Sequence, residues 1–285
     1  MSAPEDGADI VYWPRWRPGG HRVGAHRGRD AGGLGTFRDT VSFLRLPDAR
    51  RIDIRASLRD PFEGVAVRRF EARSPVETYA LIDLSASMRF RGRADRLGLA
   101  TAFCTALARS ATRIGDGFGL MAADAAFRED LYLPATRHRA AATLAAARIG
   151  EATCAGASAE GLMEAARRLA GRPKLVFLVS DFRWPEAAIT RVLSALALHD
   201  VTPVLLADTL EDDGLPAFGL VELDDLEGAG RRLVLLRPSL RRRWRQREVE
   251  RIETLRRLCT PFARPPFRLA DRFDAEALTR HLLTT

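Results

Sequence analysis

From Val76 onward, short apolar runs alternate with segments whose apolar residues return every three or four positions. The run Tyr79-Ala80-Leu81-Ile82 ends at Asp83 and reads as a buried strand. The segment Arg93 to Thr112 follows, with Leu97, Ala100, Cys104, Leu107 and Ala111 on the stripe of a helix docked against a sheet. The same reading predicts strands at Phe118–Ala123, Leu131–Leu133, Leu175–Ser180, Val201–Ala207 and Phe267–Ala270. Helices are predicted near 137–149 and 159–170, over Glu186–Leu198 behind Pro185, over 239–258, and from Asp274 to the end. Repeated strand–helix units predict an α/β fold, a doubly wound and mostly parallel sheet spanning residues 76–285. Residues 1–75 are rich in Gly, Pro and Arg. They read as a small, partly β segment, with strands at Thr40–Leu46 and Gly64–Glu71 beside a loop over His21–Gly35.

Chemistry enters where the first predicted strand ends. Asp83-x-Ser85-x-Ser87 collects one carboxylate and two hydroxyls at a strand-to-helix turn, where open α/β sheets place their ligands. These are hard oxygen donors, suited to Mg²⁺ and also to Mn²⁺ or Ca²⁺, rather than to zinc. The same residue types also cap helices and make local turns. A second apolar run, Lys174 to Ser180, ends in Asp181, so two strands are expected to deliver Asp83 and Asp181 side by side. In an empty site their like charges would repel.

These residues resemble a known family. Asp83-x-Ser85-x-Ser87, a later hydroxyl and a late strand ending in Asp181 look like the metal-ion-dependent adhesion site of von Willebrand factor A domains. Upstream, Leu46-Pro47-Asp48-Ala49-Arg50-Arg51-Ile52-Asp53-Ile54 and Val67-Arg68-Arg69-Phe70-Glu71 are similar to the signature that precedes such a domain in the DUF58 proteins. The resemblance implies a von Willebrand factor A-like fold and a divalent-cation site on Asp83, Ser85, Ser87 and Asp181. It also implies a partnership with a MoxR-like AAA+ ATPase in maturing a client protein. For the subfamily this chain looks most like, that client is an oxidoreductase such as methanol dehydrogenase. The chain departs from the pattern at Pro47, where the family has Gly, and at Ile54, where it has Trp. The family's Gly-Gly-Thr loop is absent too. Glu151-Ala152-Thr153-Cys154-Ala155-Gly156-Ala157-Ser158 stands in that place, and either Thr153 or Ser158 supplies the middle hydroxyl.

Composition narrows the alternatives. The formal net charge is +8, yet Lys174 is the only lysine among 45 basic residues, a skew that suits coding bias better than a selected nucleic-acid surface. Arg241-Arg242-Arg243-Trp244-Arg245 resembles a phosphate-tracking stripe, but its helical frame interleaves Glu248, Glu250 and Glu253, as a solvated helix face does. Cys104, Cys154 and Cys259 are far apart and odd in number, against a disulfide framework or zinc site. The acidic stretches Glu211–Asp213 and Asp224–Glu227 read as surface turns, and the Gly-rich loop that carries His21 and His26 is a poor cage for a metal. Ser85 lacks a Gly-x-Ser-x-Gly elbow, no Walker sequence is present, and Ser85 stands where an aspartyl-phosphate enzyme needs a second acid. A binding protein is expected rather than an enzyme. A polar start and the lack of long apolar runs predict a cytoplasmic chain with no membrane partner.

Overall fold

A computed structural model of the chain describes residues 9–19, 24–156, 159–209, 218–225 and 230–285. They divide into two compact units, Pro14–Val76 and the remainder of the chain.

The larger unit is built on a six-stranded sheet in the order β10-β7-β6-β3-β4-β5. Its strands are β3 (Glu77–Asp83), β4 (Gly117–Ala123), β5 (Leu133–Thr136), β6 (Leu175–Ser180), β7 (Asp200–Ala207) and β10 (Phe267–Ala270). All are parallel except β5, which runs antiparallel to β4 at the edge. Strands β4, β6 and β7 are buried throughout, so they read as continuous apolar runs rather than alternating ones.

Helices cover both faces. Residues Tyr79, Leu81, Val176 and Leu178 pack with Leu162 and Ala165 of α4 (Ala159–Arg168), Val192 and Leu193 of α5 (Glu186–Ala195) and Leu255 of α6 (Pro238–Cys259). The alternate residues face α2 (Arg96–Arg113), whose Phe103 meets Phe177 edge-on with centroids 5.5 Å apart. Helix α3 (Arg139–Ala147) and the closing α7 (Ala275–Thr284) complete the set. Asp274 caps α7 through the amides of Glu276 and Ala277. None of the helices among the described residues is long and apolar enough to cross a membrane.

The smaller unit pairs β1 (His26–Ser42) with β2 (Ala66–Ser74) in an antiparallel ribbon, with α1 (Ile54–Leu58) between them. The family-like residues here have local work to do. Asp48 accepts the amide of Arg50. Asp53 caps α1 at the amide of Ala56 and accepts Arg68 Nε at 2.7 Å.

Three expectations are corrected. The Gly-rich stretch from His26 is strand, not loop, because backbone pairing to β2 tolerates it through register shifts at bulges. The edge strand begins at Leu133 rather than Leu131, since Glu129–Leu131 forms a 3₁₀ turn. Asp224 and Asp225 close a strand, β8 (Gly219–Asp225), paired with β9 (Gly230–Leu236) in a separate hairpin. Val221 pairs with Val234, a cross-strand match that the acidic ends disguised. Glu211–Asp213, Glu227 and His21 lie outside the described residues.

A buried clasp ties the larger unit together. Arg264 grips Asp200 with two hydrogen bonds, at 2.8 and 2.7 Å, and also donates to the carbonyls of Leu282 and Trp13. Arg264→Met leaves the Asp200 carboxylate buried without its counter-charge, and a loss of about 3–5 kcal/mol in unfolding free energy is expected from urea titration. A change below 1 kcal/mol, on the order of a surface pair, would show the clasp to be incidental.

Candidate functional site

Each of the five parallel strands runs into an aspartate at its C-terminal end: Asp83, Asp124, Asp181, Asp208 and Asp271. The three outer ones hold neighbouring loops in place. Asp124 accepts the amide of Ala126 and pairs with Arg128 at 3.1 Å. Asp208 accepts the amide of Ala94, and Asp271 accepts both the amide and the hydroxyl of Thr209. The pair at the centre of the sheet, Asp83 on β3 and Asp181 after the adjacent β6, is different.

Asp83 is fully buried. Its Oδ1 accepts the amide of Ser85 at 2.7 Å, an Asx-type turn that bends the chain off the strand. Its Oδ2 accepts the Ser180 hydroxyl at 2.5 Å and the Trp184 indole N–H at 3.2 Å. The turn places the hydroxyls of Ser85 and Ser87 3.1 Å apart, both buried. Ser85 precedes the 3₁₀ turn Ala86–Arg89 without a side-chain cap hydrogen bond, so helix capping does not account for its hydroxyl.

The second loop lies alongside. Ala155 N donates to the carbonyl of Leu84, and Ala86 N donates to the carbonyl of Gly156. Gly156 adopts φ +60°, the left-handed conformation that glycine takes without steric cost. Cys154 is buried here, and burial first, then the charge of Asp83, push its thiol up to about 12. Thr153 faces outward instead: its carbonyl and hydroxyl accept from Arg128 Nη1 at 3.2 and 3.4 Å. Ser158 lies outside the described residues.

At the third loop, Asp181 is not the bare counterpart that was expected. Its Oδ2 accepts Arg96 Nη1 at 2.8 Å, in an ion pair with exposures of 2% for Arg96 and 1% for Asp181. Arg183 Nε lies 3.8 Å away as a second, more exposed cation. The expectation that Asp83 and Asp181 repel across a gap is therefore corrected, because a guanidinium neutralises one of them. Phe182, next in the chain, is buried at φ +51°, an unusual conformation for a bulky residue that costs on the order of 1–3 kcal/mol. The Ser180 hydroxyl holds its amide, while Arg251 donates to the carbonyls of Asp181 and Phe182.

The donor set bears on whether a cation fits. In an octahedron with bonds of 2.0–2.1 Å, neighbouring oxygens stand about 3 Å apart, which matches the separation of the two serine hydroxyls. The first loop suits Mg²⁺. The third loop does so only with Arg96 displaced, and among the described residues no three His, Cys, Asp or Glu side chains cluster as metal ligands.

Of the residues singled out in the sequence, the fold thus brings Asp83, Ser85 and Ser87 together and sets Asp181 on the neighbouring strand. Sequence reasoning missed Ser180, Trp184, Arg96 and Arg251. Arg96 had a signal, a cation in the first turn of a helix, where the macrodipole disfavours it.

Comparisons with known proteins follow the same outline. The profile of a family described as "Protein of unknown function DUF58" matches residues 47–254. A Paracoccus denitrificans protein described as "Uncharacterized protein in moxR 3'region" is 35% identical over 95 residues, which is 33% of this chain and 90% of that one. Among solved structures, BatB from Bacteroides thetaiotaomicron is 13% identical with a TM-score of 0.45, over 73% of this chain and 98% of that one. An aerotolerance-related membrane protein from Bacteroides fragilis NCTC 9343 is 14% identical with a TM-score of 0.43, over 74% and 100%.

The hydrogen bonds at Asp83 set a stability expectation opposite to charge relief. Asp83→Ala strands the Ser85 amide, the Ser180 hydroxyl and the Trp184 indole in a dry interior, and a loss of about 1–3 kcal/mol is expected from thermal or urea unfolding. An unchanged or raised melting temperature would mean that these donors find other partners.

Proposed function

The chain belongs to the DUF58 family, and from that premise we propose that it is a metal-dependent protein-binding adaptor for a MoxR-type AAA+ ATPase, acting on a third, client protein. The observation that carries this reading is the buried Ser85–Ser87 hydroxyl pair, 3.1 Å apart beside the Asp83 carboxylate. Hydroxyls in a dry interior are costly unless well satisfied, and the Ser85 hydroxyl makes no helix-cap hydrogen bond. A pair kept under those conditions at ligand spacing supports a role in binding.

Asp83, Ser85 and Ser87 would hold the cation, with Ser158 of the second loop or Thr153 completing the set and Asp181 contributing from the third. A bound Mg²⁺ supplies an open coordination position that a partner carboxylate can take. The protein's own part is positional. The Asx turn aims the two hydroxyls, Ser180 and Trp184 fix the Asp83 carboxylate, and the Leu84–Ala155 and Ala86–Gly156 hydrogen bonds hold the second loop against the first. The Paracoccus denitrificans relative, described by its position beside moxR, supports the choice of ATPase. Maturation of a metal-containing oxidoreductase is the client role that the resemblance suggests.

The double substitution Ser85→Ala/Ser87→Ala separates function from folding. Replacing both members of a hydrogen-bonded pair by apolar groups is close to neutral, so the unfolding free energy should stay within about 1 kcal/mol of the parent. Mg²⁺-dependent binding to the MoxR-type ATPase, measured by surface plasmon resonance, should weaken by roughly tenfold or more. Undiminished binding by this variant would sink the adaptor reading.

A further inference from the structure

We infer that Arg96 is a built-in competitor for the divalent cation: its guanidinium holds the Asp181 side of the site, and a cation takes that side only when Arg96 leaves. The inference rests on the metal reading of Asp83, Ser85 and Ser87, and concerns what controls occupancy.

One nitrogen makes the case. Arg96 Nη1 donates to Asp181 Oδ2 and to the backbone carbonyl of Ser87, both at 2.8 Å. It therefore bridges the end of the first loop and the third loop, the two elements that a shared cation must also bridge. A divalent ion and a guanidinium cannot both occupy that gap, because each is positive and the surroundings are dry.

The position of Arg96 in the chain strengthens the point. It is the first residue of α2, at the positive end of the helix dipole, where a buried cation is disfavoured. Capping is already done by Asp95, which accepts the amide of Leu97. Nothing in the local rules of the helix asks for arginine here, and a local rule broken in a buried place points to a job done elsewhere. The partners that offset the cost are the Asp181 carboxylate and the Ser87 carbonyl.

The paired guanidinium also lies against an aromatic ring. The guanidinium carbon lies 4.9 Å from the ring centroid of Phe90, which is only half-buried. That half-buried ring is the side of the guanidinium not closed by the ion pair, and a cation–π contact of this kind adds little to hold it in place. The loop carrying Phe90 is anchored by Asp208, which accepts the Ala94 amide and crowds Gly92 so closely that a Cβ there would stand 2.3 Å from its Oδ2. The proposed exchange therefore concerns the Arg96 side chain and not the loop that precedes it. Two discrete states follow. With guanidinium in, the Asp181 charge is compensated and the metal side is closed; with guanidinium out, a divalent ion and an incoming partner carboxylate replace one positive charge by a matched set.

The experiment is Mn²⁺ titration of the full chain by calorimetry, with Mn²⁺ alone as the probe. Arg96→Met removes the competitor but keeps the bulk. It is expected to bind Mn²⁺ roughly tenfold or more tightly than the parent, with a larger rise in melting temperature on adding Mn²⁺. Arg96→Lys, which keeps the charge, is expected to resemble the parent. If Arg96→Met binds no tighter while the parent still binds and Ser85→Ala/Ser87→Ala does not, the competitor is refuted and the adaptor reading stands. If no variant binds Mn²⁺ at all, both fall. Should Arg96→Met fail to fold, a crystal structure of the parent with saturating Mn²⁺ decides. Arg96 withdrawn from Asp181 supports the inference, and a metal beside Asp83 with that ion pair intact overturns it.

Discussion

The Arg96–Asp181 ion pair is the constraint around which the centre of the sheet is organised. It joins the start of α2 to the end of β6, passing over the first loop by way of the Ser87 carbonyl. Two carboxylates at adjacent strand ends in a dry interior are not stable as a bare pair. The fold resolves the conflict unequally: it gives Asp181 a cation and gives Asp83 neutral hydrogen-bond donors, the Ser85 amide, the Ser180 hydroxyl and the Trp184 indole. Asp83 is thus fixed by three neutral donors, and Asp181 by a guanidinium. That asymmetry is the ground on which the proposed cation is assigned to the β3 side and its control to the β6 side.

Strand order explains why this happens at β3 and β6. The chain leaves β3 toward β4 and β5 on one side, then crosses back to build β6, β7 and β10 on the other. Loops at such a switch point diverge and leave a crevice at the C-terminal edge, the usual ligand position in open α/β sheets. The Leu84–Ala155 and Ala86–Gly156 hydrogen bonds bring the second loop against the first at this edge. Phe182, in its left-handed conformation, and Arg251, which donates to the Asp181 carbonyl, set the course of the third loop.

Much of this was legible in the sequence. Fully buried parallel strands have a strong signature, so β6 and β10 appear at their predicted bounds, and the β3 run ends at Asp83 as read. The ribbon of β1 and β2 and the β8–β9 hairpin were harder, because they are held by backbone pairing with little apolar periodicity to betray them. At the site, Asp83, Ser85 and Ser87 were legible because the chemistry is local, three oxygens within one turn. Their supports were not. Ser180 and Trp184 reach Asp83 from about a hundred residues away, and Arg96 meets Asp181 across 85 positions. Spacing in a single sequence carries no information about such long-range hydrogen bonds.

Arg96 also shows what a propensity rule is worth when it fails. Read alone, an arginine in the first turn of α2 is a mild local error, costing a few tenths to about 1 kcal/mol at an exposed helix end. Buried beside Asp181 it is a far larger commitment, since each desolvated charge depends on the other and the loss of either leaves a penalty of several kcal/mol. A well-packed apolar pair would stabilise the same junction at least as well, so stability alone does not select this one. What an ion pair has and an apolar pair lacks is the ability to exchange: a carboxylate released by one cation is at once a ligand for another. Placed one strand away from two hydroxyls at ligand spacing, that property ties the architecture of the sheet to the chemistry at its edge.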